Sequence, residues 1–327
     1  MRQNILRGHF DTYLRITFAK NHTFLMQKQK LSKPELKSEI GFALFHLSPV
    51  LIFWTVATAF DWFVCIFLYF FRMFFITGGY HRYFSYKIFK TTRFFKITLS
   101  FFADTSVQKD TLWRLTHHGT HHKYSHTTED PNSSKIYGFW YSHIGWIRGS
   151  DFKETRFELI KDYSKFPELR WLNKHYLIPP LILMLSVYVI GGYVNAGGNL
   201  QEMPVAGLST LVTGFFLSTV ILFHCTFSIN SLMHMIGKPR YERKDESKNS
   251  LILALVTLRE GWHNKHHYYQ SSVRQGFFWR KIDLTFYLLK ILSWLGIAWD
   301  LRPVPAHIKY SKNKDKASLL ARLGKFH

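Results

Sequence analysis

From Glu39 to Phe71 the chain contains no lysine and no arginine; the stretch reads EIGFALFHLSPVLIFWTVATAFDWFVCIFLYFF. At roughly 1.5 Å of helix per residue, that is near twice what one crossing of a bilayer core of about 30 Å requires. The apolar run continues to Gly79, interrupted by Arg72, and Asp61 stands in its middle between Phe60 and Trp62. It predicts two helices, about 40–59 and 62–79, with a tight turn at Asp61 and with Trp54 and Trp62 as interfacial anchors. A second gap in Lys and Arg runs from His175 to Gly237 and predicts another hairpin, about 177–195 and 206–228. Its link, NAGGNLQEMP, supplies the turn-forming Gly and Pro. Nearly every face of these segments is apolar, which sets them apart from the one-sided helices of a soluble core.

The charges give the orientation. There are 43 Lys and Arg against 21 Asp and Glu, a formal net charge of +22. The two outer turns lack basic residues, whereas the N-terminal arm, the region 82–174 and everything after Lys238 are rich in them. The positive-inside rule then predicts an all-α integral membrane protein: four spans in two hairpins, both termini cytoplasmic, and a cytoplasmic helical cap. The excess charge faces anionic lipid. No nucleic-acid partner is expected, because the basic residues are not arranged on a reader fold. The expected division is a basic arm over 1–38, a main domain over 39–300 and a basic tail over 301–327. The polar first forty residues lack the pattern of a cleaved signal. The stretch FFKITLSFFADTSV, 94–107, is too short for a span and is expected at the interface or lining a site; 284–299 reads as an interfacial helix. Cys65 and Cys225 lie in apolar runs and read as small buried hydrophobes.

Five histidines fall within RLTHHGTHHKYSHTTEDP, residues 114–131. On a helix, His118, His121 and His122 share one face, as positions i, i+3 and i+4. His263, His266 and His267, in EGWHNKHHYYQ, repeat the spacing. Six nitrogens exceed what one tetrahedral ion takes and point to a dinuclear site. His81, in FFITGGYHRYFSYK, and His234, in SINSLMHMIG, each follow a predicted span, so the span ends can deliver both to the same roof. Asn230 lies one turn before His234 and can bind a metal through water or orient a ligand, or simply serve its helix. Imidazole suits iron, zinc, copper and nickel alike. There is no H-E-x-x-H, the box of a zinc hydrolase, and no G-x-G-x-x-G dinucleotide fingerprint.

These residues resemble the membrane fatty acyl desaturases of the stearoyl-CoA desaturase class. The resemblance rests on GYHRYFSY, HHGTHHKYSHTTEDP, SHIGW, INSLMH, KDESKN and EGWHNKHHYYQSS, and covers about 40–300. It implies two iron ions, with zinc able to replace them in recombinant material, held by His81, His118, His121, His122, His234, His263, His266 and His267. Asn230 then holds a water on the metal. It implies O2-dependent desaturation, at position 9, of a long-chain acyl-CoA. An acyl-lipid desaturase or a hydroxylase of the same family is the alternative. The metal–oxygen chemistry breaks the C–H bonds, and the protein ligates, orients and excludes water. With no flavin or cytochrome domain in view, the electrons come from a separate donor such as ferredoxin or cytochrome b5. The location implied is a bacterial inner membrane, metal site on the cytoplasmic side.

The chain departs from the family pattern at three places. Tyr86 stands where a ninth histidine is usual, in HRYFSY. It can ligate as phenolate, hold a water, or leave room for His117 or His126. It also leaves open a catalytically impaired, lipid-binding homologue. On an ideal α-helix, positions 81 and 86 lie about 140° apart and do not share a face. His126 stands where an acid is common, and Arg259 where a glycine precedes EGWHN; Arg259 is expected in solvent. For the substrate, Trp146 resembles a family position near the acyl chain. Arg82, Lys87 and Arg148 are candidate contacts at a basic mouth.

Overall fold

Thr58 and Asp61 set where the first long helix begins. In the computed structural model, which describes residues 36–124, 133–148, 154–242 and 247–311 (side chains of 37, 38, 120–124 and 135 excepted), they form a capping box. The Asp61 amide donates to Thr58 Oγ1 at 3.2 Å, and the Thr58 amide donates to the Asp61 carboxylate at 2.9 Å. Asp61 therefore stands inside a first helical turn, and the chain break falls earlier, at 54–58. This corrects the turn predicted at Asp61. The helix runs Ala59–Ser85, and its last 11 residues, Phe75–Ser85, are wound as a π-helix.

Among the described residues, three helices are long and apolar enough to cross a membrane: Ala59–Ser85, Ile178–Asn195 and Met203–Met235. The second keeps the predicted boundaries; the third is longer than predicted at both ends. The segment predicted as a span over 40–59 is instead a shorter apolar stretch, Glu39–Phe53, α-helical to Leu47 and then 3-10 from Ser48. Pro49 enters at that change, where its missing N–H costs least. Phe63, Ile66, Phe67, Leu181 and Leu185 are exposed on the long helices, a surface suited to hydrocarbon.

The end of the bundle farthest from the histidines is locked through Asp61, which is fully buried. Its carboxylate accepts from Asn195 Nδ2 at 2.7 Å, Thr210 Oγ1 at 2.5 Å and Ser209 Oγ at 2.9 Å, besides the Thr58 amide. One side chain thus joins all three long helices. The hairpin partners meet at glycine: a Cβ on Gly191 would lie 2.2 Å from the Thr210 side chain.

Beyond the other end lie shorter elements. The 94–107 stretch supplies the helix Arg93–Asp104, packed behind the π segment. Tyr80 donates to Asp104 Oδ1 at 2.9 Å. The same oxygen accepts from Thr111 N and Oγ1, both at 3.0 Å, at the start of the helix Thr111–Tyr124. Leu284–Trp294, with 11 residues, is too short to span. Lys90–Thr91 pairs antiparallel with Ala298–Trp299, and Arg302 N donates to Ile88 O at 3.0 Å. Arg302 thus ties this part of the chain to the body; most of the predicted arm and 312–327 of the predicted tail lie outside the described residues. Cys65 and Cys225 are free thiols, the first buried and the second partly so.

Removing the acceptor at the centre of a buried network leaves its donors unsatisfied, at about 1–3 kcal/mol for each. Asp61→Ala is expected to lower thermal stability in detergent by that order, far more than Asp162→Ala at an exposed ion pair. Equal melting temperatures for the two variants would remove Asp61 from this role.

Candidate metal centre

The π winding decides how the first box is presented. A π-helix closes its hydrogen bonds five residues apart, so residues five apart lie closer to one face than on an α-helix. His81 and Tyr86 consequently have ring centroids 5.1 Å apart, and the separation expected from α-geometry does not occur. The Tyr86 hydroxyl stands 3.0 Å from His118 Nε2 and 3.1 Å from His266 Nε2. His81 completes this first group, with its ring 5.1 Å from His118 and 4.5 Å from His266.

A second group adjoins it. His234, His263 and His267 are buried, and a nitrogen of each lies within 4.8 Å of the others. His234 Nε2 is 3.2 Å from His263 Nε2. The neighbouring rings of His266 and His267, 5.7 Å apart, link the two groups. Two adjoining sets of nitrogen donors, one with a phenol oxygen, fit a pair of ions of the kind imidazole binds. His121 and His122 continue the helix Thr111–Tyr124, but their side chains lie outside the described residues, as does all of His126.

The helix His263–Tyr268 is pinned from behind. Asn264 Oδ1 accepts from the amides of Arg240 and Tyr241, both at 2.8 Å. Lys265 is buried; its Nζ donates to Gly276 O at 2.9 Å and lies 4.4 Å from the Trp262 ring centre. Burial, then the cations Lys281 and Arg240, bring its pKa down to about 7. With 264 and 265 held on one side, His263, His266 and His267 converge on the other.

A narrow cavity of about 80 Å³ opens beside the histidines. His81, His118, His263, Asn230 and Glu260 line it, together with Ile76, Trp113, Trp146 and Phe227. Trp146 is buried and stacks on Trp113, centroids 5.9 Å apart at 22°. His117 also faces this space and packs on Trp113, ring centroids 4.4 Å apart. Burial, then the charge of Arg156, pushes its pKa down to about 4, so it stays neutral at pH 7. The Tyr86 phenol is pushed up by burial and by Glu260, so without a bound cation it keeps its proton.

Three residues sit elsewhere than the sequence suggests. Arg82 is not at a mouth: it is fully buried and paired at 2.5 Å with Asp283, itself the cap of the helix Leu284–Trp294. Arg259 is not in solvent: it is buried, has φ +137°, and pairs with Glu260 at 2.7 Å. Arg148 is half-buried against the first apolar helix, paired with Glu39 at 2.6 Å and over the Phe42 ring. Lys87, by contrast, is an exposed partner of Asp162. Glu260 itself was not foreseen. Its Oε2 lies 3.4 Å from His81 Nδ1, leaving the other ring nitrogen of His81 for a metal. The acid directly before a histidine box was the available signal.

A carboxylate behind a ligand histidine is worth about 10–100-fold in metal affinity. Glu260→Gln is expected to lose metal to a graded chelator series by that factor, with helix content unchanged by circular dichroism. Retention equal to the parent protein's would detach Glu260 from the site.

The sequence matches the family model described as fatty acid desaturase over residues 57–276. It is 31% identical over 239 residues to an acyl-CoA C20 Delta5-desaturase of Anemone leveillei, covering 72% of this chain and 71% of that one. It is 32% identical over 230 residues to an sn-1 stearoyl-lipid 9-desaturase of Anabaena variabilis, 69% of this chain and 78% of the other. An sn-2 palmitoyl-lipid 9-desaturase of Nostoc sp. (strain 36) shares 29% over 278 residues, 82% and 90% of the two chains. With its histidine boxes brought together at the end of a set of apolar helices, this chain belongs to the fatty acid desaturase family and is an oxidoreductase of that family.

Proposed function

We propose that the chain introduces a double bond at position 9 of a long-chain acyl-CoA, using O2 and two electrons from a separate carrier, with two iron ions at the histidine cluster. One observation carries this reading: two adjoining donor groups stand beside a narrow cavity to which Ile76, Trp113, Trp146, Phe227 and Ile229 give an apolar part of the wall. One ion is assigned to His81, Tyr86, His118 and His266, with the other to His234, His263 and His267 and, through water, Asn230. His121 and His122 belong to the set by their place in the second box.

When bound, the metal pair supplies the oxidant that an unactivated C–H bond demands and that no side chain provides. The protein's own residues do the rest. Ile76, Trp113, Trp146 and Phe227 present methylenes and exclude water. Glu260 holds the His81 ring by its Nδ1 side. Tyr86 offers its oxygen where a ninth imidazole is usual, and as a ligand to a cation it would give up its phenol proton. The metal site faces the cytoplasm in this reading, and an acidic carrier such as a ferredoxin or cytochrome b5 is steered to the basic face. Position 9 follows the names of the cyanobacterial relatives, and the CoA carrier that of the Anemone relative.

Iron-loaded protein in detergent, given labelled acyl-CoA or acyl-lipid with reductant and O2, tests this. About two irons per chain and a cis product from the thioester are expected. An iron–phenolate absorption band should disappear in both Tyr86→Phe and Tyr86→His. A hydroxylated product, or turnover of the acyl-lipid alone, replaces the reaction or the carrier. One iron or none, no product, and rescue by Tyr86→His would make the chain a family member that has lost the reaction.

A further inference from the structure

The helix Leu284–Trp294 turns apolar residues outward. Leu284, Tyr287, Leu288, Ile291 and Leu295 recur at helical spacing and are exposed, whereas Thr285 and Leu289 are buried on the other side. Trp294 at its end and Trp279 ahead of it are exposed as well. A stripe too short to span and edged by tryptophan suits the boundary between lipid headgroups and hydrocarbon.

Beside the stripe lies a groove of about 290 Å³. Phe277, Phe286 and Val304 give it apolar walls, and three cations line it: Arg274, Lys290 and Lys309. Among the described residues no carboxylate lines it, and none of the three cations is in an ion pair. Aromatic rings hold them instead. Arg274 Cζ lies 5.0 Å from the Phe286 ring centre, Lys290 Nζ 6.0 Å from that of Trp294, and Lys309 Nζ 5.2 Å from that of Phe278. A ring steadies a cation through its face and leaves the N–H donors for an oxygen. Arg274 shows the demand most plainly. Its Nη2 has only a long contact, 3.4 Å, to the Tyr287 hydroxyl, and its Nε is buried with no acceptor among the described residues. A buried donor left so is costly.

We propose that this groove binds an anionic phospholipid, with the phosphate among Arg274, Lys290 and Lys309 and the acyl chains against the outward stripe. The site is separate from the chemistry: the groove shares no lining residue with the cavity beside the histidines. The other occupants at hand carry the wrong sign. Residues 312–327 of the chain bring Lys312, Lys314, Lys316, Arg322 and Lys325 against Asp315, and a second copy brings a formal net charge of +22. A bound lipid would join three pieces of chain. The wall at Val273 is already tied to Arg302 by its amide, which donates to the Arg302 carbonyl at 2.9 Å, and Lys290 faces both from the helix.

Native mass spectrometry of the full chain in detergent, titrated with dioleoyl phosphatidylglycerol or dioleoyl phosphatidylcholine, tests this. The glycerol lipid is expected to be retained and the choline lipid not. Arg274→Gln/Lys290→Gln/Lys309→Gln is expected to weaken retention by about 10²-fold. Lys161→Gln/Arg170→Gln/Lys174→Gln removes three exposed cations elsewhere and should leave it unchanged. Lys290→Glu changes one exposed residue, which the fold tolerates, and should alone weaken retention by about tenfold or more. Equal retention of the two lipids, equal losses in the two triple variants, or parent-like retention in Lys290→Glu overturns the proposal. So does displacement of the lipid by an equal concentration of glycerol 3-phosphate, which would make the ligand a free phosphate ester. Lipid retention that appears only after removal of residues 312–327 would assign the groove to the chain's own tail. A dimer that dissociates in the groove variant would assign it to a second copy.

Discussion

A carboxylate buried among apolar helices must be fully hydrogen-bonded, and Asp61 meets that demand with donors from two other long helices. The rest of the architecture depends on this. A helix rises about 1.5 Å per residue, so fixing three helices at one end fixes the height at which each delivers its residues at the other. His81 lies some 30 Å along its helix from Asp61 by that rise. A slip of one residue between helices would shift the histidines by more than the tolerance of a metal–ligand bond. The lock sits far from the chemistry, yet it sets the register of the chemistry.

Height alone does not aim a side chain, and here the π-wound segments matter. Phe75–Ser85 turns His81 and Tyr86 toward one volume, and Tyr141–Gly145 carries His143 just before Trp146. Leu211–Leu217 lies in the span that later carries His224, Asn230 and His234. A π segment changes the rotation of everything after it without ending the helix. Each is therefore an adjustment between the regular packing at the locked end and the less regular demands of a metal site.

Much of this could be read from the sequence. The Lys- and Arg-free runs marked the apolar segments because lipid excludes charge. The i, i+3, i+4 spacing marked the His118–His122 and His263–His267 clusters because that geometry is local. What failed was what depends on distant partners. Asp61 reads as a turn residue until Asn195, Ser209 and Thr210 are known to surround it. Arg82 reads as a surface charge until Asp283, two hundred residues on, meets it. The angle between His81 and Tyr86 was misjudged because π winding leaves no period in the hydrophobic pattern. Glu260 was passed over because its function depends on a histidine from another helix.

Arg259 combines both kinds of information. A non-glycine residue at φ +137° carries a backbone penalty of about 1–3 kcal/mol, which explains why a glycine is usual where the sequence resembles its family. The arginine stays because its guanidinium, buried with Glu260, pairs with it at 2.7 Å. A lone carboxylate in that position would be costly to bury. Paired, it holds the ring while its charge is balanced by its own neighbour in the chain. The strained backbone and the ion pair are thus two sides of one substitution. Together they let an acid stand behind a histidine of the candidate metal cluster.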